Sequence, residues 1–165
     1  MSEALPRAAV LFVGNMLMLD DEIGHAAYEE LPRVFELGEN VDLFDVGCMT
    51  MDMVAYVERY DFIVTVDAVD QSGEPAGTVF RYNPQDVDRG GMMPSLHDLK
   101  LANLFDAAAL LGYEAEGICL GMQVQNPEPV EYTVGLTEPC AQALPLLIET
   151  IAAELDRHGF LVRRL

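Results

Sequence analysis

AAVLFVGNMLMLDDEIG, residues Ala8 to Gly24, begins as an unbroken apolar run, stops at Gly14-Asn15, and resumes as the opening of a helix. Six apolar residues ended by a Gly-Asn turn read as a strand buried on both faces, as in a parallel sheet covered by helices. From Ile23 the apolar positions Ala26, Ala27, Leu31 and Val34 follow helical spacing, with a kink or early end expected near Pro32. A buried strand feeding a helix is the first half of a βαβ unit, so this stretch predicts the α/β class. It also sets three carboxylates, Asp20, Asp21 and Glu22, in a row at the join.

The pattern continues outward. Val41 to Val46 alternates and stops at Gly47, as a second strand would; Thr50 is placed to cap a helix through Val54 and Val57. Phe62 to Val66, within DFIVTVDAV, is the strongest strand signal in the chain. Gly77 to Tyr82 is a fourth strand, and the turn-rich DQSGEPAG before it is too short for a crossover helix. That strand should therefore run antiparallel to its predecessor if the two pair, or lie at the sheet edge. Asn83 to Pro94 reads as a loop. Ser95-Leu96-His97-Asp98 has the form of a capping box opening a helix to Gly112. Gly117 to Met122 is the last core strand, and Thr137 caps a terminal helix that Gly159 stops. The expected architecture is a three-layer α/β sandwich, one domain over residues 1–165. Its sheet is mostly parallel and five-stranded, with one antiparallel strand and helices on both faces.

With 51% hydrophobic and 22% charged residues, the chain has the composition of a globular protein. A formal charge of −19 argues against a nucleic-acid backbone or an anionic membrane as the main partner and leaves a metal cation, a basic peptide or a larger protein. Cys48, Cys119 and Cys140 are odd in number, with no C-x-x-C pair, which fits a reducing cytoplasm rather than a disulfide framework. Ala8 to Leu19 is broken by Gly14-Asn15 and followed by acids, so it is not expected to be a signal peptide. No apolar run reaches the length of a membrane span.

In such a fold ligands collect at the carboxyl ends of the strands. Asp20 and Asp21 follow the first strand, Asp67 ends the third, and His97 starts the helix after the long loop. Two carboxylates and an imidazole suit zinc, nickel or iron. Each residue taken singly also has a local explanation: Asp20 or Asp21 as a helix cap, Asp67 as a turn former, His97 as an exposed residue of a first helical turn. His25, inside the first helix, reads as surface or packing, and His158 as a complement to a helix dipole. Val13-Gly14-Asn15 lacks the G-x-G-x-x-G of a dinucleotide turn.

Four elements in order give a resemblance to a known family. Phe12-Val13-Gly14-Asn15-Met16-Leu17-Met18-Leu19-Asp20-Asp21, followed by Ile23-Gly24, is similar to a G-x-G-N-x-L-x-x-D-[DE] signature. Asp67-Ala68 is similar to a D-A element, Pro94-Ser95-Leu96-His97-Asp98-Leu99 to a histidine helix, and Gly135-Leu136-Thr137 to a G-L-[ST] element. These resemble the hydrogenase maturation proteases, endopeptidases that trim the C-terminus of the large subunit of nickel-iron hydrogenases. The resemblance implies Asp21, Asp67 and His97 as the catalytic and metal-binding set, acting on nickel borne by the substrate rather than on a resident cofactor. Asp20 is then left as the cap. Asp45-Val46-Gly47, beside the family's D-G-G-T, implies a substrate cleft contacted by Asp45 and Gly47. Phe12, Glu22, Val46 and Cys48 depart from the family pattern. Two other readings use the same crevice: a nickel checkpoint or chaperone that binds the precursor without cutting, and a small-molecule-binding α/β domain.

Overall fold

The computed structural model describes residues 4–47, 54–84 and 107–165. Five strands form the main sheet: β1 (Ala8–Val13), β3 (Val41–Gly47), β4 (Phe62–Val69), β5 (Val79–Tyr82) and β6 (Glu116–Gln123). A separate antiparallel pair joins β2 (Phe35–Leu37) to β7 (Val162–Arg164). Helices α1 (Ile23–Val34), α2 (Val54–Arg59) and α3 (Glu138–Arg157) accompany them, with residues 107–110 also helical. Thr50, the capping box at 95–98 and most of the expected helix to Gly112 lie outside the described residues.

The main sheet runs β3-β1-β4-β6-β5. Every pairing is parallel except β5 with β6, so the fourth sequence-predicted strand takes the sheet edge and does not pair with its predecessor. All residues of β1 and β4 are buried, β1 as an uninterrupted apolar run and β4 as an apolar run broken only by Thr65 and Asp67, as strands of a sheet covered by helices on both faces are. Alternation then sorts their side chains. Ala8, Val10, Phe12, Val64 and Val66 pack against Ile23, Ala27 and Leu31 of α1 and Leu147, Ile151 and Leu155 of α3. Ala9, Leu11, Val13 and Ile63 pack on the other side with Val57 of α2 and Ala108. Three layers result, and each fully buried Leu, Ile or Phe contributes about 1.5–3 kcal/mol.

The helix ends fall near their sequence signals, although Thr137 makes no side-chain cap. α1 runs through Pro32 to Val34, because a proline two residues from the end disturbs only the last turn before the chain turns into β2. α3 begins after Thr137, with Pro139 in its first turn, and ends at His158 before Gly159, whose φ of +85° suits a residue without a Cβ. The β2–β7 pair was not expected: its two three-residue strands are joined only by the tertiary fold.

One ion pair locks α3 to the edge strand. Glu154, 1% exposed, receives Nε and Nη2 of Arg81 at 2.9 Å each, with Arg157 at 3.4 Å and His158 at 3.6 Å. Burial raises the Glu154 pKa, but the Arg81 contact, aided by Arg157 and His158, outweighs it and holds the carboxyl below its ordinary value. Its contribution to stability is therefore present above the ordinary carboxylate range and is lost as pH falls through the lowered value. Arg81→Leu should cost about 2 kcal/mol at pH 7, with Arg157 retaining part of the pairing, and should flatten the acid limb of a denaturation-versus-pH curve.

Candidate functional site

The neighbouring parallel strands β1 and β4 mark the switch point, because β1 leads to β3 on one side while β3 leads to β4 on the other. The chain leaves β1 through Gly14, whose φ is +148°, and tightens into a 3-10 turn, Leu19–Glu22, before α1. A Cβ on Gly14 would lie 2.0 Å from the Asp21 carbonyl oxygen, and one on Gly24 would lie 2.1 Å from that of Val13. Two glycines thus let the turn fold back onto the end of β1.

Its three carboxylates have separate tasks. Asp20 is fully buried and is not the cap of its own helix: neither the 3-10 turn nor α1 has a side-chain cap. It reaches across the molecule to the segment before α3. One oxygen accepts from the backbone N–H of Gln125 (2.9 Å) and Asn126 (2.8 Å), the other from that of Thr137 (2.8 Å), and the Thr137 hydroxyl donates to the same carboxylate. Glu22 accepts from the Gly135 N–H at 2.7 Å. The backbone completes this clamp, with Leu19 N–H donating to Thr133 and Thr133 N–H to Leu17, both at 2.8 Å. Glu22, a departure from the family pattern, therefore anchors the Gly135-Leu136-Thr137 element.

Asp21, 5% exposed, accepts from the Asn15 N–H at 3.0 Å. Asp67, 6% exposed near the carboxyl end of β4, accepts from the Ala68 N–H at 2.7 Å. The 3-10 turn packs against β4, which brings the two carboxylate-bearing segments together at the switch point. They supply hard oxygen donors suited to a divalent cation. His97 lies outside the described residues, and among the described residues no group of three His, Cys, Asp or Glu side chains is arranged to hold a metal. Among the described residues the cysteines Cys119 and Cys140 are buried, and burial pushes the Cys140 thiol up.

Next to Asp21, whose Oδ2 accepts from the Asn15 N–H, opens a cavity of about 380 Å³ lined by Gly14, Asn15, Met16, His25, Asp45, Val46 and Gly47. A register shift between Phe12 and Val13 makes Val46 a bulge, and Gly14 N–H donates to the Gly47 carbonyl at 2.9 Å. His25 Nδ1 lies 2.6 Å from Asp45 Oδ2, fixing that carboxylate on the cavity wall. His25 was read from sequence as surface or packing. Its signal was positional: it follows Asp21 by one helical turn and so shares its side of the helix start.

The fold and its site define a doubly wound α/β protein with buried carboxylates at the switch point and a polar cavity next to them. The hydrogenase maturation protease model matches residues 26–154. The hydrogenase expression/formation protein HupD of Rhizobium leguminosarum bv. viciae is 31% identical over 160 residues, covering 95% of this chain and 78% of that protein. The hydrogenase 2 maturation protease of Escherichia coli (strain K12) is 26% identical over 160 residues, covering 93% of each. The structure of the hydrogenase maturating endopeptidase HybD from E. coli superimposes with a TM-score of 0.83 at 24% identity, covering 96% of this chain and 97% of that one. The chain belongs to the hydrogenase maturation protease family. It is accordingly a protease. Among the described residues no helix is long and apolar enough to cross a membrane.

Proposed function

We propose that this protease is an endopeptidase that removes the C-terminal peptide of a nickel-iron hydrogenase large-subunit precursor once nickel has been inserted, and that Asp21, Asp67 and His97 bind that substrate-borne nickel. The observation that carries the reading is the meeting of the Asp21 turn and the Asp67 strand, both carboxylates buried, at the switch point of a family protease. Two carboxylates and a neutral imidazole leave room for a metal to keep its own ligands from the substrate. Cleavage adds water across the scissile bond, hydroxyl to the carbonyl carbon and proton to the departing amine. A carboxylate not fully engaged with the metal would take the proton from the water. The acidic surface and the dispersed cysteines agree with a protein partner and with the cytoplasm as the place of reaction.

Intact-mass spectrometry tests this directly. A nickel-loaded precursor should lose its C-terminal peptide on mixing with the protein, and the nickel-free precursor should not. Binding with no change of mass would favour a checkpoint that does not cut.

Within the same reading Asp45 and Gly47 contact the substrate segment, and His25 is a positioning residue that holds Asp45. His25→Ala should raise KM about tenfold and leave kcat close to unchanged, since it loosens a wall of the cleft and not the metal set. His25→Gln, which keeps an N–H donor, should recover part of the loss; equal falls in kcat and kcat/KM would contradict the assignment.

A further inference from the structure

β3 pairs with β1 on one side and is an edge of the sheet among the described residues. The Ala8 N–H donates to the Asn40 carbonyl at 2.9 Å, so the alternation of a parallel ladder turns the backbone groups of Leu43 and Asp45 away from β1. Exposure agrees: Asp45 is an exposed residue although its side chain is only 28% exposed, which places much of its accessible surface on the backbone.

Along this strand the odd-numbered side chains share one face, and that face carries a cavity at each end. At the amino end Val41 and Leu43 line a mainly apolar cavity of about 390 Å³ with Pro32, Phe35, Leu37 and Leu165. At the carboxyl end Asp45 and Gly47 line the polar cavity, beside the Asn15 that donates to Asp21. α1 walls both, through Pro32 in one and His25 in the other. An extended chain presents alternate side chains to one face at roughly 7 Å spacing and offers N–H and C=O groups to an open strand edge. The two cavities lie along one face of the same strand edge.

We infer that β3 is the substrate track: an extended segment of the precursor adds as a strand to its open edge. An apolar side chain of that segment enters the cavity at Val41 and Leu43. A polar one faces Asp45, next to the carboxylates that cut. The inference rests on the protease reading above for the identity of the segment, and the continuity of the track with the Asp21 cleft is what selects the precursor over a second copy of this chain.

Hydrogen exchange resolved to single amides tests the track, with the full chain mixed with a nickel-loaded large-subunit precursor and cleavage followed in the same tube. The Leu43 and Asp45 amides should exchange roughly tenfold more slowly while the precursor is bound. Synthetic peptides copying the precursor's C-terminal segment, N-methylated one position at a time, should lose binding at alternate positions only. Cleavage without protection at Leu43 and Asp45 overturns the track and leaves the protease reading standing. Protection without cleavage supports the track and counts against cutting of that precursor. Protection that appears in the protein alone and rises with its concentration assigns the edge to a second copy and overturns the inference.

Discussion

Asp67→Asn and Asp21→Asn should each slow removal of the precursor's C-terminal peptide by at least about 100-fold without unfolding the protein. Loss of groups that merely support metal ligands already costs about 10–100-fold, so loss of a ligand should cost more. Asp67 accepts from the N–H of its own neighbour, Ala68, and Asp21 from that of Asn15, and an amide oxygen can still accept both of these bonds. The two substitutions should therefore slow nickel-dependent cleavage by that factor and leave the unfolding free energy measured in urea within about 1 kcal/mol of the parent. His97→Ala belongs to the same series. A variant that cuts at the parental rate would remove its residue from the metal set.

Asp20 should behave in the opposite way, although it is adjacent in sequence. Its carboxylate accepts from three backbone N–H groups and one hydroxyl in a site closed to solvent. Alanine would strand those donors at about 1–3 kcal/mol for each that finds no substitute, so Asp20→Ala should lower stability by about 4 kcal/mol. That is a large part of the 5–15 kcal/mol typical of a domain. Asparagine turns an NH2 group toward donors that need acceptors, and Asp20→Asn should still cost about 2 kcal/mol. Urea denaturation measures both. Were Asp20 only the cap of its own helix, asparagine would replace it almost without loss, and that result would refute the clamp.

The contrast between Asp20 and Asp21 shows where sequence reading reaches its limit. A run of acids at a strand-to-helix join is visible as a pattern, and local rules offer capping as its explanation. The partners of Asp20 and Glu22 lie 105 to 117 residues away, so nothing near the join betrays them. The same holds for β2 and β7, three residues each, and for Arg81 with Glu154, 73 residues apart. His25 was passed over because a lone histidine in a helix carries no chemistry until a strand brings Asp45 against it.

What the amino-acid sequence determined by itself was the set of elements and their class. Runs such as Ala8–Val13, wholly apolar, and Phe62–Val69, apolar but for Thr65 and Asp67, satisfy their hydrophobic surface only in a covered parallel sheet, and the Gly14-Asn15 break marks where the first strand ends. The motif order carried the family, because local composition is preserved where chemistry needs it. Only the tertiary structure showed that Asp20 and Glu22 hold the segment before α3. Burial and hydrogen bonding depend on groups from distant segments, and a carboxylate becomes a structural clamp when those segments surround it with N–H donors, as they do Asp20.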